Sequence, residues 1–180
     1  MSIENNMKII HNSIVRTMQM IANDFKAATN SKHFTDNVVR YVLWFEEKYK
    51  YKFRYNSNNL YVKKGEIYNC NFGENIGSEQ NKWRPAIILQ NNKGNLHSPT
   101  TIVAPITDEI KTNLPTHVDI KDLKPDSNIQ GMILIEQLRC ISKNRLSNRL
   151  DCVDTTSSNW NKIIKSIKIE LDVSFNLQKY

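Results

Sequence analysis

Between residues 61 and 153 the apolar residues come in six short β-branched runs: YVKKGEIYNCNF, PAIILQN, TTIVAPIT, HVDIKDL, GMILIEQLRCI and RLDCV. They are divided by turn signals at Gly73, Gly77, Asn92-Lys93-Gly94-Asn95, Lys124-Pro125-Asp126-Ser127 and Lys143-Asn144. Six short strands at a spacing of roughly ten residues predict a compact curled sheet or small barrel. A last amphipathic stripe, Trp160, Ile163, Ile164, Ile167, Leu171 and Phe175, follows the cap candidates Thr155-Thr156-Ser157-Ser158 and predicts a terminal helix.

The first 60 residues follow another period. Met7, Ile10, Ile14, Met18, Ile21, Phe25 and Ala28 recur in steps of three or four, the spacing of one helix face. The stretch TNSKHFTDN interrupts them, and Thr35 or Asp36 is a candidate cap for a second helix with the stripe Val38, Val42, Phe45 and Tyr49. The expectation is a helical hairpin whose stripes are buried on the rest of the chain or on a second copy. Next, YKYKFRYNSNNL alternates aromatic and basic residues. As a strand it puts Tyr49, Tyr51, Phe53 and Tyr55 on one face and Lys50, Lys52 and Arg54 on the other, a stacking platform for single-stranded nucleic acid. The plainer alternative is a helix end and edge strand with solvated charges. Asn56–Asn59 is the linker candidate, giving a helical extension over 1–58 and a second domain over 59–180.

Composition narrows the function classes. The net charge is +7, which favours polyanionic partners. The richest apolar stretch, Met132–Ile135, is far too short to span a membrane, and the start has no signal-like apolar region. Cys70, Cys140 and Cys152 are odd in number and form no CxxC pair, which argues for a reducing, cytoplasmic setting. No GxSxG, Walker loop, GxGxxG or HExxH occurs, and His11, His33, His97 and His117 have no ligand-like spacing. Each histidine is expected to be structural or at the surface, and no metal or cofactor is expected. What remains is GSEQNKWRPAIILQN: a polar loop leading into Arg84-Pro85 and a buried strand. An arginine before proline is held extended at a strand mouth, where its fork of donors suits a phosphate, or else an ordinary surface pair.

At these residues the chain resembles a family. GEIYNCNF, GSEQNKWRPAIILQN, HSPTTIVAPIT, LPTHVDI, ILIEQLRCISKNRL and the terminal helix follow, in order, the MazF/PemK-type endoribonuclease toxins of toxin–antitoxin systems over residues 62–178. The resemblance implies an α+β fold, a CcdB/PemK-type SH3-like small barrel, in a homodimer. It implies a metal-independent, sequence-selective cut in single-stranded RNA, in which the 2′-hydroxyl attacks its own phosphate. The products would be a 2′,3′-cyclic phosphate and a 5′-hydroxyl. It assigns catalysis to Arg84, which would stabilise the charge on phosphorus, and Thr107, whose hydroxyl would bond the phosphate or orient the 2′-hydroxyl. It assigns RNA contact to Ser78, Glu79, Gln80, Lys82, Trp83, Glu136 and Gln137, although Glu136 also reads as a carboxylate paired with Arg139. A cognate antitoxin is implied, with DNA met only through it, and no membrane. The alternatives are an inactive RNA-binding relative and a CcdB-like poison of DNA gyrase.

The chain departs from the family where Asn81, Lys82 and Trp83 replace small residues, often glycines, before Arg84. Pro105 stands where a small residue is usual, and Asp108-Glu109 follow Thr107 directly. The resemblance does not reach the first 60 residues. Their nine basic and five acidic residues are the wrong sign for an RNA-mimicking cover. A packed hairpin and an RNA-binding arm are left as readings for them.

Overall fold

The computed structural model describes residues 2–27, 32–53, 60–109 and 114–173, and the chain divides into two compact units, Met1–Tyr49 and Lys50–Tyr180. Both expected N-terminal helices are present: α1 is Ile3–Ala27 and α2 is Lys32–Phe53. The Phe25 and Phe34 rings meet edge to face at 6.2 Å near their junction. Because α2 starts at Lys32, Thr35 and Asp36 lie inside its first turns rather than ahead of them. The strand reading of Tyr49–Phe53 is overturned. Phe45, Tyr49 and Phe53 continue the four-residue spacing of the helix, and Lys50 and Lys52 in its last turn suit the negative end of the helix dipole. Arg54, Tyr55 and the linker candidate Asn56–Asn59 lie outside the described residues, as do Ala28 and Phe175. The stripe expected to be buried on α2 is also turned: Trp44 is buried, whereas Val42, Phe45 and Tyr49 are exposed.

The second unit is an antiparallel sheet built on one long central strand. The strands are β1 (Glu66–Asn71), β2 (Trp83–Ile88), β3 (Thr100–Thr107), β4 (His117–Asp119), β5 (Met132–Leu134), β6 (Arg139–Ser142) and β7 (Leu146–Cys152). Their order is β4-β5-β3-β2-β1-β7, with β6 also paired to β3. The single run GMILIEQLRCI therefore becomes two strands. One edge of β3 pairs with β6 at Thr100–Val103 and with β5 at Ile106–Thr107, and a 3-10 turn, Ile135–Gln137, takes up the bend between them. Two other expectations shift locally. Asn92–His97 is a short helix, α3, rather than a turn, with Asn91 capping it by accepting from the Gly94 amide. HVDIKDL is a three-residue strand followed by α4 (Ile120–Leu123), capped by Asp119.

Alternate residues feed two cores, one on each face of the sheet. Ile67, Ile87, Ala104, Ile106, Ile133, Trp160 and Ile163 pack on one side, and Tyr68, Cys70, Phe72, Ala86, Ile88, Val103 and Ile141 on the other. Burial on both faces is why PAII reads as a continuous apolar run. The terminal helix α5, Asn161–Glu170, closes the first core with Ile163, and Ser157 caps the 3-10 turn that leads into it.

Asp151 near the end of β7 ties the Lys124–Ser127 turn to the sheet. It accepts from Lys124 Nζ, from Ser127 Oγ at 2.6 Å and from the Cys152 amide at 2.8 Å. Burial alone would raise its carboxyl; the bonds from Lys124, Ser127 and the Cys152 amide outweigh that and hold it below the ordinary carboxylate value. Its contribution to stability is therefore present in full above the unfolded carboxyl value and is lost as pH falls through the lower folded one. Asp151→Asn is expected to cost about 1–3 kcal/mol at neutral pH. Thermal melts of both proteins across pH check this: the gap should close below about pH 4, and a constant gap would refute it.

Candidate active site and the adjoining loop

The Arg84–Thr107 pair is set by strand register. β2 and β3 pair through Ile88↔Val103, Ile87↔Ala104 and Ala86↔Pro105. Pro85 and Pro105 carry no N–H, so the ladder stops there. Two residues further along the same register, Arg84 and Thr107 stand opposite each other at the strand ends. Arg84 Nε donates to the Asn81 carbonyl at 2.8 Å, which fixes the plane of the guanidinium, and Nη1 lies 3.5 Å from Thr107 Oγ1. That distance is at the outer limit of a hydrogen bond, so much of the donor fork is left for a ligand. Thr107 itself is 1% exposed, and its hydroxyl also accepts from the Glu109 amide at 3.3 Å. Pro105 thus ends the ladder without dislodging Thr107. Cys70, opposite Arg84 in β1, is no nucleophile: burial pushes its thiol up to about 12.

The β1–β2 loop is closed at its foot by paired backbone bonds, Phe72 N to Lys82 O at 2.9 Å and Lys82 N to Gly73 O at 2.7 Å. Lys82 takes φ +66°, the left-handed conformation that glycine adopts at least cost. A lysine in that conformation adds strain and charge at the foot of the loop. Asn75 braces the loop from within: its amide nitrogen donates to the Phe72 and Gln80 carbonyls, and its backbone N–H to Asn81 Oδ1 at 2.7 Å. Trp83, at the start of β2, is 46% exposed.

The 3-10 turn between β5 and β6 holds the loop's far side. Gln137 accepts from the Gln80 amide and donates to the Ser78 carbonyl, each at 3.4 Å, and Arg139 pairs with Glu79 at 3.0 Å. The expected pairing of Glu136 with Arg139 is therefore wrong. Glu136 pairs with His117 of β4, Nε2 to Oε1 3.0 Å, and the histidine side chain is almost wholly buried. Gln80 Oε1 and Glu136 Oε2 are buried acceptors without a partner among the described residues. Ser78, Glu79, Gln80 and Gln137 are thus gathered on one side, Arg84 and Thr107 on another, with Asn81 between Gln80 and the Arg84 guanidinium. Lys82 and Trp83 stay exposed at the loop's foot.

Sequence reasoning gave no role to Asn75 or Gly131, named Asn81 only as a departure, offered Arg139 to Glu136 rather than to Glu79, and read His117 as structural or at the surface without its partner. Of Asn75 and Gly131, only Gly131 carried a signal, as a glycine opening a strand run. Its φ is +121°, and a Cβ there would lie 2.1 Å from the Thr107 carbonyl oxygen. Among the described residues no three His, Cys, Asp or Glu side chains stand together as a metal site, and no helix is long and apolar enough to cross a membrane.

Known proteins resemble this chain in sequence and in fold. The family model described as "PemK-like, MazF-like toxin of type II toxin-antitoxin system" matches residues 63–169. Endoribonuclease MazF of Staphylococcus saprophyticus is 38% identical over 117 residues, covering 64% of this chain and 92% of that protein. Endoribonuclease EndoA of Bacillus subtilis is 38% identical over 113 residues, 62% and 96% of the two chains. The crystal structure of MazF from Deinococcus radiodurans superposes with a TM-score of 0.55 at 19% identity, covering 63% of this chain and 99% of that one. A mycobacterial endoribonuclease in complex with its cognate antitoxin superposes at 0.52 and 21% identity, covering 63% and 98%. Two curated relatives matched almost end to end, a family model spanning the whole sheet, and a shared fold give one assignment: the chain belongs to the PemK-like, MazF-like toxins of type II toxin–antitoxin systems.

Proposed function

We propose that the chain is the toxin of a toxin–antitoxin pair, a sequence-selective endoribonuclease that cuts single-stranded RNA without a metal. The observation that carries this reading is the Arg84 fork, pinned by Asn81 and set beside Thr107 Oγ1 at the strand ends. In the reaction a 2′-oxygen–phosphorus bond forms while the bond from phosphorus to the 5′-oxygen breaks. The proton leaves the 2′-hydroxyl and another reaches the departing 5′-oxygen. Arg84 donates to the non-bridging oxygens as negative charge builds on them, and the Thr107 hydroxyl orients the 2′-hydroxyl or the phosphate. One guanidinium and one alcohol are weak acid–base groups, so the rate comes chiefly from positioning and electrostatics.

Base reading falls to the loop and the 3-10 turn. The unpaired acceptors Gln80 Oε1 and Glu136 Oε2 suit N–H donors on the free edges of unstacked bases. Ser78, Glu79 and Gln137 shape the same wall, Lys82 supplies charge toward the backbone, and Trp83 offers a face for a base to stack on. Residues 59–180 are the nuclease domain and 1–58 an extension. A homodimer, a cytoplasmic setting and an antitoxin that competes for Arg84 complete the reading, with DNA reached only through the antitoxin. The related mycobacterial endoribonuclease solved with its cognate antitoxin supports that partner.

The test is cleavage of a long single-stranded RNA in excess EDTA. Discrete cuts bearing 2′,3′-cyclic phosphate and 5′-hydroxyl ends are expected. Cleavage abolished by the chelator, or 5′-phosphate ends, would sink the mechanism. Protection of RNA without cleavage would instead identify an inactive binding relative.

A further inference from the structure

We propose that α1 is a self-association surface, on which two copies of this chain pair their α1 helices antiparallel about a two-fold axis at Ile14. The inference stands on the extension alone and does not depend on the nuclease reading. The helix begins at Ile3, which lengthens its apolar stripe to Ile3, Met7, Ile10, Ile14, Met18, Ile21 and Phe25. None of the 25 residues of α1 is buried, and Ile3, Met7, Ile10, Ile14 and Met18 are 53–83% exposed. An apolar stripe this long without cover is rare on a lone soluble chain and marks a contact surface.

The stripe itself identifies its occupant. Its steps run four, three, four, four, three, four, which is the same series in either direction, with Ile14 at the centre. A two-fold contact sets a patch against its own copy, so a patch that reads alike both ways is matched along its whole length. Antiparallel pairing about Ile14 places Ile3 opposite Phe25, Met7 opposite Ile21 and Ile10 opposite Met18. The period is eleven residues in three turns, which keeps two helices in contact with almost no supercoil. Charge agrees. Glu4 and Lys26 flank the stripe on the same side at its two ends, so this register brings the Glu4 of each copy beside the Lys26 of the other.

Other occupants fit less well. Residues 1–49 carry six basic and five acidic side chains, too nearly neutral to select RNA or an acidic polypeptide.

Cross-linking of the full chain tests the register. Cys140 and Cys152, the exposed cysteines, are first replaced by serine. Ile14→Cys is then treated with a bismaleimide whose span matches the 8–10 Å or so between packed helix axes. A covalent two-chain product is expected as the main species. Met7→Cys should give none, because its two copies would lie about 21 Å apart along the helices. Adding Ile21→Cys to Met7→Cys should restore the product. Three outcomes would overturn the proposal. Equal cross-linking by Ile14→Cys and Met7→Cys means parallel pairing or collision. If the thiol of Ile14→Cys reacts with a monofunctional maleimide but never cross-links, the stripe is bare and unpaired. If that thiol is protected from maleimide in a chain that never cross-links, another part of the same chain or a different partner covers it.

Discussion

Arg84→Ala is expected to fold with an unchanged sheet and to cleave RNA about 10²–10³-fold more slowly, the loss seen when one preorganised donor is removed from developing charge. The fold should survive because Arg84 sits half-buried at a strand mouth and contributes to neither core. Arg84→Lys should recover little. A single ammonium keeps the charge but lacks both the Nε bond that fixes the plane and the fork that meets two oxygens at once. Single-turnover cleavage with saturating RNA, alongside a thermal melt, separates chemistry from stability. An Arg84→Ala protein that melts as wild type and cleaves within threefold of it would remove Arg84 from the catalytic role.

What was legible beforehand follows from how local each signal is. The strand runs were readable because β-branched residues and turn residues act within a few positions. PAII announced a strand buried on both faces by being apolar at every position. Arg84 stood out by its place before Pro85, with an ordinary surface pair as the other reading, whereas Thr107 entered only through the resemblance. The strand pairing that places them opposite is a relation between residues 23 apart in the chain, which no local pattern encodes. The break in GMILIEQLRCI was hidden for a similar reason: the 3-10 turn exists because β3 needs two partners along one edge, not because Glu136-Gln137 favours turning. The His117–Glu136 pair joins β4 to the 3-10 turn after β5, and the register of β4 on β5 is invisible in sequence. The N-terminal misreading was of another kind. Alternating aromatic and basic residues mimic a strand over Tyr49–Phe53, yet the helix that precedes them has already met its nucleation cost and simply propagates.

Gly131→Ala should be the most damaging conservative change in the sheet unit, although residue 131 is itself assigned no contact with substrate. Its φ of +121° is one that side chains rarely adopt. The added Cβ would stand 2.1 Å from the Thr107 carbonyl oxygen and 2.8 Å from its carbon, both backbone atoms that cannot swing aside. Relief requires β5 to move away from the end of β3, breaking the Thr107↔Met132 pairing and the bond from the Ile120 amide to the Gly131 carbonyl. A loss of about 3 kcal/mol or more is expected, the scale of a backbone clash with lost pairing. Cleavage by the protein that remains folded should fall as well, because Thr107 is carried by the strand end that moves. Gly77→Ala is the matched control. Its φ is also positive at +62°, but a Cβ there meets nothing within 4 Å. Strain alone then applies, about 1 kcal/mol, with the site undisturbed. Denaturant melts and single-turnover cleavage on both variants decide the matter. If Gly131→Ala is no worse than Gly77→Ala on either measure, the close approach of Gly131 to Thr107 does not hold the end of β3 in place.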